Sequence, residues 1–394
     1  MLWRGKDKKE IGIFGHLDVV PAGTGWEYPP FELTVKDGFL IGRGCADNKG
    51  SMMAALFALR YLKETGYQPV HSIRFFMGCA EETGMEDIVY YTEHNQMPEY
   101  SIVADSVFPV CYGEKGILEV EARCPIKSKI LQSFEAGVAS NSVPERAEAV
   151  LKISVEIVKI KIPEHLAKVE ECEEGSLVSV EGIAAHAAFP QGSQSAEVKL
   201  AQILLSSGLL DEEGNRLMLS ILDLFQDYYG AGLGIGYEDE IFGKLTHIGG
   251  MARTSGGWLY QNINIRYNAQ ADYEEMMHNI EKSLKYNGFE LIAAEGSKPS
   301  YVDPESSLVR ILNRVASAYY PESKPFVMGG GTYARKLDHA VGFGPGAPNG
   351  RNLFGAGRGG GHQPDECIAM QELLTAMEIY IAAIPELDEL TGGN

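Results

Sequence analysis

The chain has 394 residues, 45% of them apolar, and sets 34 Lys and Arg against 54 Asp and Glu for a formal net charge of −20. That length allows two or three domains and that apolar content supplies at least one large core, which excludes a chain that is mainly disordered. An acidic chain with no Lys/Arg-rich block also disfavours nucleic acid and anionic membrane as partners.

The longest apolar stretch, around residues 52 to 59, is far short of the ~18–20 residues that a membrane span needs. The first residues, MLWRGKDKKE, lack the apolar run and small-residue cleavage site of a signal peptide. The six cysteines form no C-x-x-C pair, so reduced thiols are expected rather than a disulfide framework or a zinc ribbon. A cytoplasmic protein is the expectation.

In chain order, the apolar run Ile11 to Phe14 predicts a strand, 51 to 64 a helix, 72 to 77 a strand, the segment after Gly84 a helix, and 101 to 104 a strand. This alternation implies an α/β domain with a mostly parallel sheet between helices. Strand-like alternation then takes over, as in residues 118 to 122 and 262 to 266, with helical segments near Ala196 and Glu274. Helical patterns return at 306 to 319 and 371 to 384. The reading is a three-layer catalytic domain made of 1–115 and 301–394, with an α+β lid domain, 116–300, inserted into it.

The P-loop, G-x-S-x-G and H-E-x-x-H motifs are absent from the sequence. In their place, His and carboxylate residues recur just after predicted strands, where open α/β sheets keep their ligands. His16 follows the first strand, with Asp18 close enough to orient its ring. Asp47 precedes a helix, where an N-cap is the ordinary role. Glu81 and Glu82 follow the 72 to 77 strand; such a pair is commonly a solvated surface feature, but it also suits a cation. Asp105 ends the next strand, and His362 closes the glycine run 359 to 361, which could simply be a loop. Two His and three carboxylate positions, namely Asp47, the Glu81-Glu82 pair and Asp105, suit two divalent metals sharing a carboxylate.

Four segments carry a resemblance: His16-Leu17-Asp18-Val19-Val20-Pro21, Gly42 through Gly50, Glu81-Glu82-Thr83-Gly84, and Gly360-Gly361-His362. Together they resemble the co-catalytic zinc aminopeptidase and aminoacylase family. The Gly329 to Arg335 run, GGGTYAR, is similar to that of bacterial dipeptidases of the PepV type. The resemblance implies that His16 and Asp105 bind one metal, that Glu82 and His362 bind the other, that the Asp47 carboxylate bridges them, and that the Asp47–Asn48 peptide after it is cis. Zinc would be the usual metal, with Mn or Co accepted by the same ligands. Glu81 would be the general base, activating a metal-bridging water, and Asp18 would hold His16.

In the lid, His186 would donate a hydrogen bond to the substrate carbonyl, and Asn141 and Arg266 would hold the substrate, Arg266 through its C-terminal carboxylate. The amides of Gly330 and Gly331 and the hydroxyl of Thr332 would complete a carboxylate clamp. His71, His94, His165, His247, His278 and His339 are read as structural.

The implied activity is hydrolysis of dipeptides, with a small peptide as the partner. The long lid, resembling one in which an extra half-lid replaces a neighbouring subunit, implies a monomer. Only 15 residues precede His16, so the catalytic core is expected to be short at its N-terminus relative to family members. Two alternatives stay open: an N-acyl-amino-acid deacylase or desuccinylase using the same site, and a truncated member that binds metal without turnover.

Overall fold

The computed structural model describes residues 1–355 and 357–390. The chain divides into two compact units, one formed by Met1–Glu114 and Ser300–Asn394 and the other by Lys115–Pro299.

In the first unit, strand Glu10–His16 is buried at every position, as expected of a strand covered on both faces in a parallel sheet. It pairs in parallel with Ser72–Gly78 on one side and with Tyr100–Val103 on the other, and Ala340–Gly342 continues the parallel order. Leu2–Trp3, Cys111–Glu114 and Ser300–Tyr301 add antiparallel neighbours. On one face Ile11, Ile13, Ile73 and Phe75 pack against helices Lys49–Glu64, Ser307–Ser317 and Met370–Asp388. On the other face Phe14 and Val103 pack against Ile88 and Tyr91 of helix Glu86–His94 and against Tyr333. These are the three layers that the alternation of short strands and helices implied.

Two of the element ends that differ from the sequence reading do so for a tertiary reason. The first long helix begins at Lys49, two residues before Ser51, with Asn48 as its N-cap. The Asn48 side chain makes no capping bond, because it is committed elsewhere, as described below. The last helix passes through Pro385 to Asp388, although the residue before a proline is a natural stopping point. Asp388 anchors the extra turn: its carboxylate accepts from the amides of Val70 and His71 and from the Tyr67 hydroxyl.

The second unit is built on an eight-stranded sheet among the described residues, antiparallel throughout. Alternate residues of strands Gly116–Pro125 and Trp258–Tyr267, including Leu118, Val120, Leu259, Ile263 and Ile265, enter a core shared with helices Ala196–Ser207, Glu212–Phe225 and Tyr273–Tyr286. The period of two places Glu119, Asn262, Asn264 and Arg266 on the opposite face. No helix among the described residues is long and apolar enough to cross a membrane.

Candidate metal centre

His16, Gly78 and Val103 end three neighbouring parallel strands, and His16 stands opposite Gly78 in register. Side chains that follow these ends therefore converge at the carboxyl edge of the sheet: His16 itself, Glu81 and Glu82 after Gly78, and Asp105 after Val103. Asp47 and His362 come from the chain segments that precede the first and last long helices of the unit, Lys49–Glu64 and Met370–Asp388.

Asp47 occupies the middle. Its Oδ1 is 3.1 Å from His16 Nε2 and its Oδ2 is 3.1 Å from His362 Nε2. His16 Nε2 also lies 3.6 Å from Asp105 Oδ2, and His362 Nε2 lies 3.0 Å from Glu82 Oε1. The five predicted ligands thus meet as two sets that share one carboxylate. Asp47 makes no N-cap, and its preceding-helix position serves instead to turn one oxygen toward each imidazole. The Asp47–Asn48 peptide is cis.

The donor set fits divalent cations on electrostatic grounds. His16 Nδ1 lies 3.0 Å from the Asp18 carbonyl oxygen, so the ring hydrogen on Nδ1 is used there and the Nε2 lone pair faces two carboxylates. Lone pairs crowded together in this way need a proton or a metal between them. Against the downward pull of burial, the Asp47 hydrogen bond and the charges of Asp105 and Glu81 push His16 up to about 10. Hydrogen bonds donated to the Asp47 and Glu82 carboxylates push His362 up to about 10 as well. Burial and the Asp47 charge raise Asp105 to about 7, and burial and the Asp105 charge raise Glu81 to about 9. Ligand atoms of His16, Asp47 and Glu82, and separately those of His16, Glu81 and Asp105, lie within 4.8 Å of one another. The second group brings Glu81 within a ligand's reach.

Several residues that hold this arrangement escaped the sequence reading. The Glu366 carboxylate is fully buried; its Oε1 accepts from the amides of Gly44, Ala46 and Asp47 at 3.0, 2.9 and 3.0 Å, and its Oε2 pairs with Arg43 at 2.7 Å. Asn48, also fully buried, receives the His16 amide and donates to the Ala104 carbonyl and to Asp105 Oδ1. That last bond, 2.8 Å long, turns the other Asp105 oxygen toward His16. The Asp18 carboxylate, with Oδ1 3.3 Å from His16 Nδ1, accepts with its two oxygens from the amides of Glu81 and Glu82.

The combination of an α/β sheet carrying this cluster at its carboxyl edge with a second antiparallel unit is matched by known proteins. The profile of "Peptidase family M20/M25/M40" covers residues 12–386. The chain belongs to this family. As an M20 peptidase it is a metallopeptidase, and the family implies divalent metal ions.

Among its relatives, "Putative dipeptidase YtjP" of Bacillus subtilis is 32% identical over 393 residues, covering 96% of this chain and 82% of that protein. "Beta-Ala-Xaa dipeptidase" of Lactobacillus delbrueckii subsp. lactis is 31% identical over 405 residues, covering 97% and 83%. The crystal structure of the M20 family metallo-carboxypeptidase Sso-CP2 from Sulfolobus solfataricus shares the fold with a TM-score of 0.57 at 18% identity, covering 98% of this chain and 87% of that one.

The other predicted site residues of this M20 chain fall into two groups. In the second unit, Asn141 and His186 are exposed and adjacent: Ser142 and His186 form a bridge, and the Ala187 amide donates to the Asn141 carbonyl. His186 Nδ1 accepts from the Ala188 amide at 3.2 Å, which places the ring hydrogen on Nε2 and makes that atom a donor. Arg266 stands opposite Thr246 in the sheet, and the Thr246 hydroxyl donates to the Ala187 carbonyl, so Arg266 belongs to the same edge. Arg266 is 4% exposed and its Nε donates to Asn264 Oδ1.

In the first unit, the glycine-rich run differs from the reading at one atom. The Thr332 hydroxyl donates to Glu114 Oε1 at 2.6 Å, and its amide donates to Oε2 of the same carboxylate. The hydroxyl hydrogen expected to clamp a substrate carboxylate is therefore spent inside the protein. A Cβ placed on Gly330 would meet nothing within 4 Å, while the Gly330 carbonyl accepts from Arg335 Nη2 at 3.0 Å.

Proposed function

We propose that this M20 peptidase is a dipeptidase that works with two divalent cations, zinc by preference, on substrates with a free C-terminal carboxylate. The single observation that supports it most is Asp47, with one oxygen 3.1 Å from His16 and the other 3.1 Å from His362. In this reading His16 and Asp105 would hold one cation, Glu82 and His362 the other, and Asp47 both. Cations there would supply Lewis acidity, drawing electron density from the scissile carbonyl and making water more acidic.

The chain's own groups do the rest. Glu81 takes a proton from the attacking water as its oxygen bonds to the carbonyl carbon, and returns that proton to the amine nitrogen as the C–N bond breaks. His186, with its hydrogen on Nε2, donates to the carbonyl oxygen as negative charge builds there. Arg266 and the amides of Gly330 and Gly331 receive the substrate carboxylate, and Asn141 assists them. Asp18 fixes the tautomer and direction of His16. The six cysteines are all free thiols, which suits work in the reducing cytoplasm.

The test is metal analysis combined with a panel of dipeptides and N-acyl amino acids. Two metals per chain and turnover of dipeptides are expected. Turnover confined to the N-acyl compounds would replace the reading with a deacylase, and bound metal without turnover of either would leave a non-catalytic metal protein.

One chain is proposed to be competent by itself. His186→Ala should lower turnover by ~10²–10³, the usual value of one donor to a developing oxyanion, with metal content unchanged. Mixing His186→Ala protein with Glu81→Gln protein should restore no activity. Recovery in the mixture would show that two chains build one site.

A further inference from the structure

The loop that carries Glu81 and Glu82 has an unusual scaffold. Four consecutive amides, from Cys79 to Glu82, each point at a carboxylate: Cys79 and Ala80 donate to Asp87 Oδ2 at 2.6 and 3.1 Å, and Glu81 and Glu82 donate to the two oxygens of Asp18 at 3.3 and 3.1 Å. Bonds to an ionised acceptor are shorter and stronger than neutral ones, so this loop is held over its whole length. Asp87 sits in the first turn of helix Glu86–His94, and nothing in the proposed chemistry uses it.

Asp87 is itself held by a residue 246 positions later in the chain. The Tyr333 hydroxyl donates to the same Oδ2 at 2.7 Å. Tyr333 is 1% exposed and its ring stands edge-on to Phe76 with centroids 5.8 Å apart. A Cβ on residue 78 would lie 1.9 Å from the Tyr333 hydroxyl oxygen; glycine there is what lets the hydroxyl reach Asp87. Burial and the Asp87 hydrogen bond raise the Tyr333 phenol well above its ordinary range, so it remains a donor. Tyr333 also directly follows Thr332, whose amide and hydroxyl are tied to Glu114. The Glu81 loop and the glycine-rich run are thus joined through one oxygen atom.

We propose that Asp87, gripped by the Tyr333 hydroxyl, is a positioning residue for Glu81: it fixes the loop from which the base reaches the attacking water. The inference rests on the reading of Glu81 as general base. Because a misplacement of about 1 Å in a reacting group can cost ~10²-fold in rate, loosening this loop should act on kcat rather than on substrate binding.

The experiment uses zinc-loaded enzyme and compares Tyr333→Phe and Asp87→Asn, each alone and in the Glu81→Gln background. Tyr333→Phe keeps the ring against Phe76 and removes only the hydroxyl, so it serves even where Asp87→Asn fails to fold. Each is expected to lower kcat by ~10-fold or more with KM within about two-fold, with metal content unchanged. No further loss should appear once Glu81 is Gln, because a group acting through Glu81 has nothing left to position. Hydrogen exchange of the metal-free protein should show the amides of residues 79 and 80 exchanging faster in both variants.

Losses that multiply with Glu81→Gln, a raised KM at constant kcat, or unchanged exchange at 79 and 80 would each overturn the proposal. Full turnover in Glu81→Gln alone would instead overturn the base reading beneath it, and the two failures are told apart by that single variant.

Discussion

Replacing Asp47 by alanine is expected to strip both metals from the protein and abolish its turnover. Each of the two imidazoles that face the site has an Asp47 oxygen 3.1 Å away, so one substitution removes an anionic ligand from both sets at once. A loss at Asp105 or Glu82 would weaken one set and leave the other its full complement. Metal affinity and folding of such a site are linked through ligands that must be deprotonated.

The metal-free variant should carry a second signature. Asp47 is held far below the usual carboxylate range by its bonds to His16 and His362, against the upward push of burial. The same bonds help raise both imidazoles to about 10. Without Asp47 both histidines should titrate at lower pH, and imidazole resonances followed by NMR across a pH series report this directly. Two metals retained per chain, or unmoved histidine titrations, would show that Asp47 is not the shared ligand.

What the sequence disclosed about the site follows from how local each signal is. His16, Glu81, Glu82 and Asp105 are legible because each comes at or just after an apolar strand, and a parallel sheet brings strand ends together whatever the order of pairing. Asp47, the proposed shared ligand, stood out by its motif, since position alone is as consistent with a helix cap. Groups that hold these ligands stayed hidden because their partners are remote. Glu366 binds amides some 320 residues earlier in the chain, and Glu114 binds Thr332, 218 residues later. A buried carboxylate that collects backbone amides leaves no periodicity and no spacing rule in the sequence. Thr332 illustrates the cost: the resemblance of its Gly-rich run implied a ligand donor, but the fold commits its hydrogen to Glu114.

Changing Glu81 to glutamine is expected to lower turnover by ~10²–10⁴, the range for losing a general base, while two metals stay bound. The geometry makes this a demanding test, because Glu81 offers an oxygen within 4.8 Å of ligand atoms on His16 and Asp105. If Glu81 is a ligand, the amide should weaken binding and the metal should go with the activity. If it is the base, the amide cannot accept the water's proton, yet it keeps the size and polarity that the neighbouring groups pack against. Burial and the Asp105 charge set Glu81 at about 9, with Glu82 and Asp47 adding to the rise and His16 opposing it. A base poised so high would be protonated and idle near neutrality, so cations that cancel the charge of its neighbours are what let it serve there. The expected pattern is therefore an inactive protein with full metal content. Chelation of the wild-type protein should silence it by the other route, leaving Glu81 in place but protonated. Loss of metal in Glu81→Gln would move this residue from base to ligand, and unchanged turnover would remove it from the chemistry altogether.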